Sequence, residues 1–341
     1  MTYKEPFQLG NIVLPNNIFY APLAGCSDLP FRRMSRKSSR PGLIYCEMVK
    51  MDALVRSEPS TFRLLDYEKE MHPIGAQLCG SKPELAAPCA RIVEDLGFDV
   101  VDLNCGCPVD KITKDGSGSG MLKTPELIGE ILTRIKEEVD IPVTVKIRAG
   151  WDEKSINAPL ITRIAEQAGA AAICIHGRTR EQGYAGPANW DWIKECKQVA
   201  KNILVIGNGD VFDAASAKRM FEYTGCDAVL VSRGTMGQPW IQEDIEKLLK
   251  EDVTTPTSLE EVRDALITHF GYILEYQNER RALLDFRRVG CFYLKGCKGV
   301  KELRVQLNQA KSTEEALRLV HAFSWEPSNE PANEPAVTSE C

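Results

Sequence analysis

Apolar positions along this chain follow two periods. Runs rich in β-branched and aromatic residues begin at Ile18 (IFYAP), Leu43 (LIYCE), Ile74 (IGAQL), Val100 (VVDLN), Val143 (VTVKIR), Ala172 (AICIHG), Ile203 (ILVIGNG) and Ala228 (AVLVSRG). Most gaps between them carry apolar residues at helical spacing, as over 85–96, 125–139, 160–168 and 214–223. Eight strands alternating with helices over about 230 residues predict a closed (β/α)8 TIM barrel, an α/β fold. A doubly wound open sheet is the alternative. It would need a G-x-G-x-x-G after an early strand, which is absent.

Residues 7–14, with Gly10 and Asn11 at their centre, read as a small hairpin. The gap after Glu47, MVKMDALVRSEPS, is irregular and is expected to be partly loop. From Ser258 the period of two vanishes, and 259–276, 281–295, 298–309 and 313–323 carry helical periodicity. Ser312-Thr313-Glu314-Glu315 supplies an N-terminal cap for the last of them. The expected organisation is a catalytic barrel over residues 1–245, a small C-terminal helical domain over 246–325 and a tail over 326–341. The Asn-Glu-Pro repeat of that tail offers little to bury and predicts disorder.

The composition, 43% hydrophobic and 26% charged, is that of an ordinary globular protein. No run approaches the roughly 18 to 20 apolar residues of a membrane span, and MTYKEPFQLGN lacks the regions of a signal peptide. A cytoplasmic protein with no membrane partner is expected. The 12 cysteines contain no C-x-x-C, so zinc and clustered iron–sulfur ligation have no support and no metal is expected. A net charge of -6 argues against indiscriminate nucleic-acid binding. Locally, however, residues 278–311 gather Arg280, Arg281, Arg287, Arg288, Lys295, Lys298, Lys301, Arg304 and Lys311 against only Glu279, Asp285 and Glu302. Phe292 and Tyr293 are available there for stacking on bases. A solvated helical surface would explain the same charges.

The chemistry concentrates in VVDLNCGCPVDKITKDGSGSG, residues 100–120. Cys107, between Gly106 and Pro108 and past the end of the strand pattern, is the candidate reactive thiol. For Cys105 inert core packing stays open, as for most cysteines. In a barrel of this kind the site lies at the carboxyl ends of the strands. There the chain carries Pro22, Leu23, Ala24 and Gly25, then Glu47, Gln77, Asn104 to Cys107, Lys146 with Arg148, and His176 with Arg178. The last two strands end in Asn208-Gly209-Asp210 and Arg233-Gly234, loops of the type that binds phosphate through backbone N–H groups. Lys146 reads either as half of a buried ion pair with Asp102 or Glu47, or as a functional cation or Schiff-base nucleophile. His176 reads either as a hydrogen-bonded core histidine or as part of the site.

These residues fall in motifs that resemble the flavin-dependent tRNA-dihydrouridine synthases, most closely the bacterial B-type branch. The motifs are APLAGCSDLPFR (21–32), CEMV (46–49), QLCG (77–80), DLNCGCP (102–108), TVKIRAGW (144–151), IHGRTREQGYAG (175–186), GNGDV (207–211) and SRGTMGQPW (232–240), in the family's order. The resemblance implies a TIM barrel holding FMN, a helical domain that grips tRNA, and NADPH or NADH as reductant. It further implies that Pro22, Leu23 and Ala24 line the flavin, that Gln77 and Lys146 face its ring and that His176 contacts it. Asn208, Gly209, Asp210, Arg233 and Gly234 would hold its phosphate, and Cys107 would be catalytic. For tRNA the expected contacts are Asn104, Lys111, Arg148, Arg178, Arg287 and Arg288, on a monomeric enzyme. Two departures stand out: Ser232 replaces a glycine common in relatives, and FRRVGCFY (286–293) has Val289 and Phe292 where an R-K-H-x-x-W-Y pattern has histidine and tryptophan.

The implied reaction is chemically coherent. Hydride from a reduced flavin adds at C6 of uracil, charge moves toward C5 and O4, and a thiol that is protonated near neutral pH delivers a proton to C5. A stacked uridine must be extruded first. Three other readings share parts of this pattern: an FMN barrel acting on a free pyrimidine, like a dihydroorotate dehydrogenase; a Schiff-base aldolase using Lys146; and a non-catalytic RNA-binding protein.

Overall fold

The computed structural model describes residues 3–254 and 256–328. The chain opens with the expected hairpin, β1 (Phe7–Leu9) and β2 (Ile12–Leu14). It continues through β3 (Ile18–Tyr20), α1 (Leu29–Ser38), β4 (Leu43–Lys50), α2 (Met51–Val55), α3 (Pro59–Leu64), β5 (Ile74–Cys79), α4 (Ala86–Asp95), β6 (Val100–Cys105) and α5 (Asp110–Thr113). Then follow α6 (Pro125–Glu138), β7 (Val143–Arg148), α7 (Ala158–Gln167), β8 (Ala172–His176), α8 (Asp191–Val199), β9 (Leu204–Asn208), α9 (Ala214–Thr224), β10 (Ala228–Val231) and α10 (Ile241–Glu251). Strands β3 to β10 pair in parallel and close into a barrel, β10 against β3. All eight runs read from the hydrophobic pattern are these barrel strands.

Register decides what each strand end presents. Because side chains alternate across a strand, Phe19, Tyr45, Val100, Ala172, Cys174, Ile206 and Leu230 pack together inside the barrel. Phe7, Leu9 and Leu14 of the hairpin join this cluster. The hairpin closes the amino-terminal end, where Gly10 meets Pro142 and Ala171 at the starts of β7 and β8. Above this apolar floor the neighbours in register become polar. Gln77, Asp102 and Thr144 align across β5 to β7, Asn104, Lys146 and Cys174 across β6 to β8, and Arg148, His176 and Asn208 across β7 to β9. The alternate residues, such as Val101, Leu103, Val145, Ile147, Ile173 and Val205, face the helices in a second core.

The stretch after Glu47 is partly loop, as expected, over residues 56–58, while the rest of it forms the end of β4, α2 and the start of α3. Its pattern is illegible because β4 carries a register irregularity between Tyr45 and Met48, and because neither short helix has a side-chain cap. The boundary placed at residue 245 falls inside α10, which packs along α9 and completes the barrel. The chain leaves the barrel only after Asp252, whose left-handed backbone (φ 54°) ends that helix.

The remainder forms α11 (Leu259–Tyr276), α12 (Glu279–Tyr293), α13 (Val300–Gln309) and α14 (Thr313–Ala322). Ser312 caps α14 as expected, its Oγ accepting from Glu315 N at 3.1 Å. The core of these helices centres on Phe270 and Phe286, stacked 3.9 Å apart, and Met34 of α1 joins it from the barrel. Of the expected disordered tail, residues 329–341 lie outside the described residues. Residues 326–328 lie along the loop after α12, where Lys298 N donates to Glu326 O and Ser328 N to Gly296 O.

Buried in this second core, His269 shares one hydrogen bond, between its Nδ1 and Tyr293 Oη at 3.0 Å, and its Nε2 has no partner. Burial, with Arg288 nearby, pushes its pKa down to about 3. The unfolded chain takes up this proton near pH 6.5, the folded chain only near 3. The histidine's contribution is therefore complete above about pH 6.5 and is lost as pH falls toward 3. In urea unfolding, wild type should lose midpoint across that window more steeply than His269→Gln; parallel pH profiles would refute the assignment.

Candidate active site

The strand ends surround a cavity of ≈ 830 Å³. Pro22, Leu23, Ala24, Gln77, Asn104, Cys107, Lys146, Arg148, His176, Asn208, Gly209, Asp210 and Arg233 line it, with Lys111 at its rim. Gly234 and Arg178 sit directly behind this lining, and Arg287 and Arg288 lie on α12, outside it. Glu47 is buried against the N–H of Gly25 and is not part of the wall.

Cys105 and Cys107 separate cleanly. Cys105 is the last residue of β6 and points into the packing behind the strand, fully buried. Cys107 lies beyond the strand, partly exposed to the cavity. Its loop is tied at several points: Asn104 Oδ1 accepts from the N–H of Gly106 (3.1 Å) and of Cys107 (2.9 Å), and Ser119 donates to the Cys107 carbonyl from Oγ (2.8 Å) and N (3.1 Å). Gly118, at φ 57°, is required where a Cβ would stand 2.9 Å from that carbonyl. Burial raises the thiol pKa against the pull of the Val109 N–H, Arg148, Lys146 and Lys50, so the group is a neutral S–H at neutral pH.

Lys146 projects from the middle of β7 into the cavity. The ion pair with Asp102 or Glu47 is not formed; among the described residues no carboxylate lies within 4 Å of its Nζ. Desolvation lowers its pKa, and Asp102 attracts it only at longer range. His176 is buried beside Arg178, whose Nη1 lies 3.3 Å from Nε2. Burial and the charges of Arg148, Lys146, Arg178 and Arg233 push its pKa well below 6.5. A neutral ring accepting at Nε2 carries its proton on Nδ1.

At the opposite wall two glycine-bearing loops meet. Gly209 adopts φ 117°, and a Cβ there would stand 2.8 Å from Ala188 Cβ and 3.0 Å from His176 Cδ2. A Cβ on Gly234 would strike the Val211 carbonyl at 2.3 Å, so the loops after β9 and β10 touch backbone to backbone. Asp210 does not face the cavity as a free anion. Its carboxylate takes a fork from Arg178 (2.8 Å to each oxygen), the Ala188 N–H (2.7 Å) and, more loosely, Arg233 (3.3 Å). Arg233 keeps donors toward the cavity while lying over Tyr184 (4.7 Å) and Phe212 (5.2 Å). Asn208 ties β9 to β10 through Leu230 O (2.7 Å) and Ser232 Oγ (2.9 Å), so Ser232 adds a link that glycine lacks. Sequence reasoning missed Tyr184 and Phe212, which lie on loops with no period to mark them.

Several expected tRNA contacts are occupied. Arg148, 1% exposed, donates to the carbonyls of Gly106 (2.9 Å), Thr179 (2.8 Å) and Gly183 (2.7 Å), and its guanidinium clamps two catalytic loops together. Arg178 is held by Asp210 and Gly186 O. Arg287 closes the end of α13 by donating to Leu307 O (3.1 Å) and Ala310 O (2.7 Å). Arg288 contacts Cys26 Sγ (3.2 Å) and Asp285 (3.5 Å), bridging the helices to the barrel mouth. Tyr293, expected to stack on bases, is buried against His269. Lys111, Lys114, Arg280 and Lys301 remain exposed.

A family model for dihydrouridine synthases (Dus) matches residues 19–326. The tRNA-dihydrouridine synthase B of Pseudomonas aeruginosa is 35% identical over 324 residues, 94% of this chain and 97% of that protein. A probable tRNA-dihydrouridine synthase 1 of Synechocystis is 37% identical over 322 residues, 93% of this chain and 89% of that protein. Among solved structures, morphinone reductase superposes with a TM-score of 0.52 at 16% identity, over 74% of this chain and 90% of that one, a likeness of barrel alone. With the family model spanning both barrel and helices, and the relatives aligned over nearly their whole length, the chain belongs to the dihydrouridine synthase family.

Proposed function

We propose that the protein is a tRNA-dihydrouridine synthase that reduces the C5=C6 bond of uridines in tRNA, with FMN as cofactor and NADPH or NADH as reductant. The relatives' printed activity agrees with the one observation that carries the reading: a neutral thiol, Cys107, on a tied loop at the mouth of a cavity that holds the unpaired cation Lys146. The cavity's residues fit a mononucleotide. One end offers Arg233 and the glycine loops for a single phosphate, and the walls offer Pro22, Leu23 and Ala24 to a flat ring.

Bound FMN, once reduced, supplies the hydride for C6 of uracil. Gln77 and Lys146 would face the ring, with Lys146 balancing negative charge at its pyrimidine edge. His176, neutral, would approach it as a hydrogen-bond partner rather than as a charge. Cys107 holds its proton on Sγ and delivers it to C5 as charge develops there. Pro22 to Ala24 and Met236 exclude water from the same space. The target base must leave the stack to reach this depth, and the exposed rim cations, Lys111 among them, would meet the phosphates beside it. A tRNA substrate supports a cytoplasmic location for the enzyme.

The purified protein should be yellow and release FMN on denaturation. Arg233→Ala should weaken FMN binding by about 10- to 100-fold, the worth of a charge-assisted hydrogen bond, while FAD should not bind; unchanged affinity would move the phosphate elsewhere. Cys107→Ala should slow reoxidation of the reduced flavin by tRNA about 10² to 10⁴-fold with flavin reduction near normal. Cys105→Ala should do much less, and equal losses in the two variants would contradict the geometry. Binding of tRNA should weaken with salt, and Lys111→Glu should flatten the log–log slope by roughly 0.7 to 0.9. A free-pyrimidine enzyme would show no such dependence.

A further inference from the structure

In and just behind the cavity wall runs a line of side chains whose hydrogen bonds to one another the reaction as written does not use. Asp102, Gln77 and Asn104 are 4%, 1% and 7% exposed. Asp102 accepts from Thr144 Oγ1 at 2.6 Å and from Gln77 Nε2 at 2.7 Å. Gln77 Oε1 accepts from Asn104 Nδ2 at 2.7 Å, and Asn104 Oδ1 accepts from the N–H groups of Gly106 and Cys107.

The two ends of this line determine its direction. Backbone N–H groups can only donate, and an ionised carboxylate can only accept. Each amide between them has one way to satisfy both neighbours. We propose that Asp102 is a positioning residue for the proton donor: by accepting from Gln77 it sets the polarity of a buried amide relay whose last acceptor, Asn104 Oδ1, holds the Cys107 loop. This rests on the reading of Cys107 as the acid. Although burial pushes the Asp102 carboxyl up to about 6, it remains ionised at neutral pH, with Lys146, Tyr45, Cys105 and Cys174 as its titratable neighbours.

The polarity argument makes an unusual demand on mutants. In Asp102→Asn the new side chain has one acceptor for two donors. Thr144 has no other acceptor nearer than the Tyr45 hydroxyl at 3.5 Å, so it keeps the asparagine carbonyl and the asparagine amide turns to Gln77. Gln77 must then reverse, Asn104 reverses after it, and an amide N–H meets the N–H of Cys107. Replacing Thr144 by Val removes the competing donor and frees the asparagine carbonyl for Gln77. The second substitution should therefore rescue the first.

The test uses flavin-loaded protein and two readouts: hydrogen exchange in the peptide spanning 104–108, and reoxidation of the reduced flavin by tRNA. Asp102→Asn should speed exchange roughly tenfold and slow reoxidation about 10- to 100-fold, with flavin content retained. Asp102→Asn/Thr144→Val should recover both toward wild type. Wild-type exchange in the single variant, or a double variant worse than the single, overturns the proposal, since a merely structural aspartate predicts cumulative damage. Should Asp102→Asn fail to fold, Gln77→Leu cuts the relay one step on, and wild-type exchange there overturns it equally. If exchange follows the predicted pattern but Cys107→Ala still reduces uridine normally, the relay positions a loop that is not the acid. The positioning role then falls with the Cys107 assignment and the relay geometry stands.

Discussion

The register of the closed parallel sheet is the constraint on which this molecule depends. A slip of one residue in any strand would turn its inward set outward, and every functional side chain of β5 to β9 belongs to an inward set. The pairing aligns Gln77, Asp102 and Thr144, then Asn104, Lys146 and Cys174, then Arg148, His176 and Asn208, in layers of rising polarity. The apolar floor beneath, completed by the amino-terminal hairpin, anchors that register, because shifting it would drive Lys146 and its polar neighbours into the apolar packing against the helices. Stability and site geometry are thus set by the same pairings.

Burial then assigns charge states that the residue types alone leave open. In a cavity with little water, desolvation favours the neutral forms of Cys107 and His176 and weakens the proton affinity of Lys146. The carboxylates nearest Lys146 and the loop after β9 are engaged by other groups. Asp102 is turned into the amide relay, Asp210 into the arginine fork and Glu47 toward Gly25. Where the base would sit, the cavity presents the Lys146 cation, a neutral ring and a thiol. That set suits a reaction in which negative charge appears and a proton must be given.

Arginines do two different jobs here, and charge counting cannot separate them. Arg148, Arg178 and Arg287 satisfy loop and helix-end carbonyls, where a planar fork of five donors is an effective clamp. Losing one would loosen loops before it altered any contact with a polyanion. The helices beyond Asp252 are joined to the barrel by Met34 in their core and by Arg288 at the cavity mouth. A part that looks like an appendage in sequence therefore borders the site.

The sequence by itself determined the eight strands, the hairpin, the four terminal helices and the convergence of Pro22 to Ala24, Gln77, Cys107, Lys146, His176 and Arg233. Those follow from local period and from the rule that strand ends meet at one rim. It could separate Cys105 from Cys107 only by guessing where β6 ends; the structure separates them because one is the last position of the strand, packed behind it against the helices, and the other lies past it. The helices after Glu47 were hidden by a register irregularity and absent caps, and the end of the barrel by the lack of any strand signal in α10. Which cations stay exposed, which carboxylates face the cavity, and how the Asp102 amides point were decided only by tertiary structure. A donor's partner is set by residues distant in the chain, such as Asn104 beside Gln77 or Asp210 beside Arg178, and no local pattern encodes that meeting.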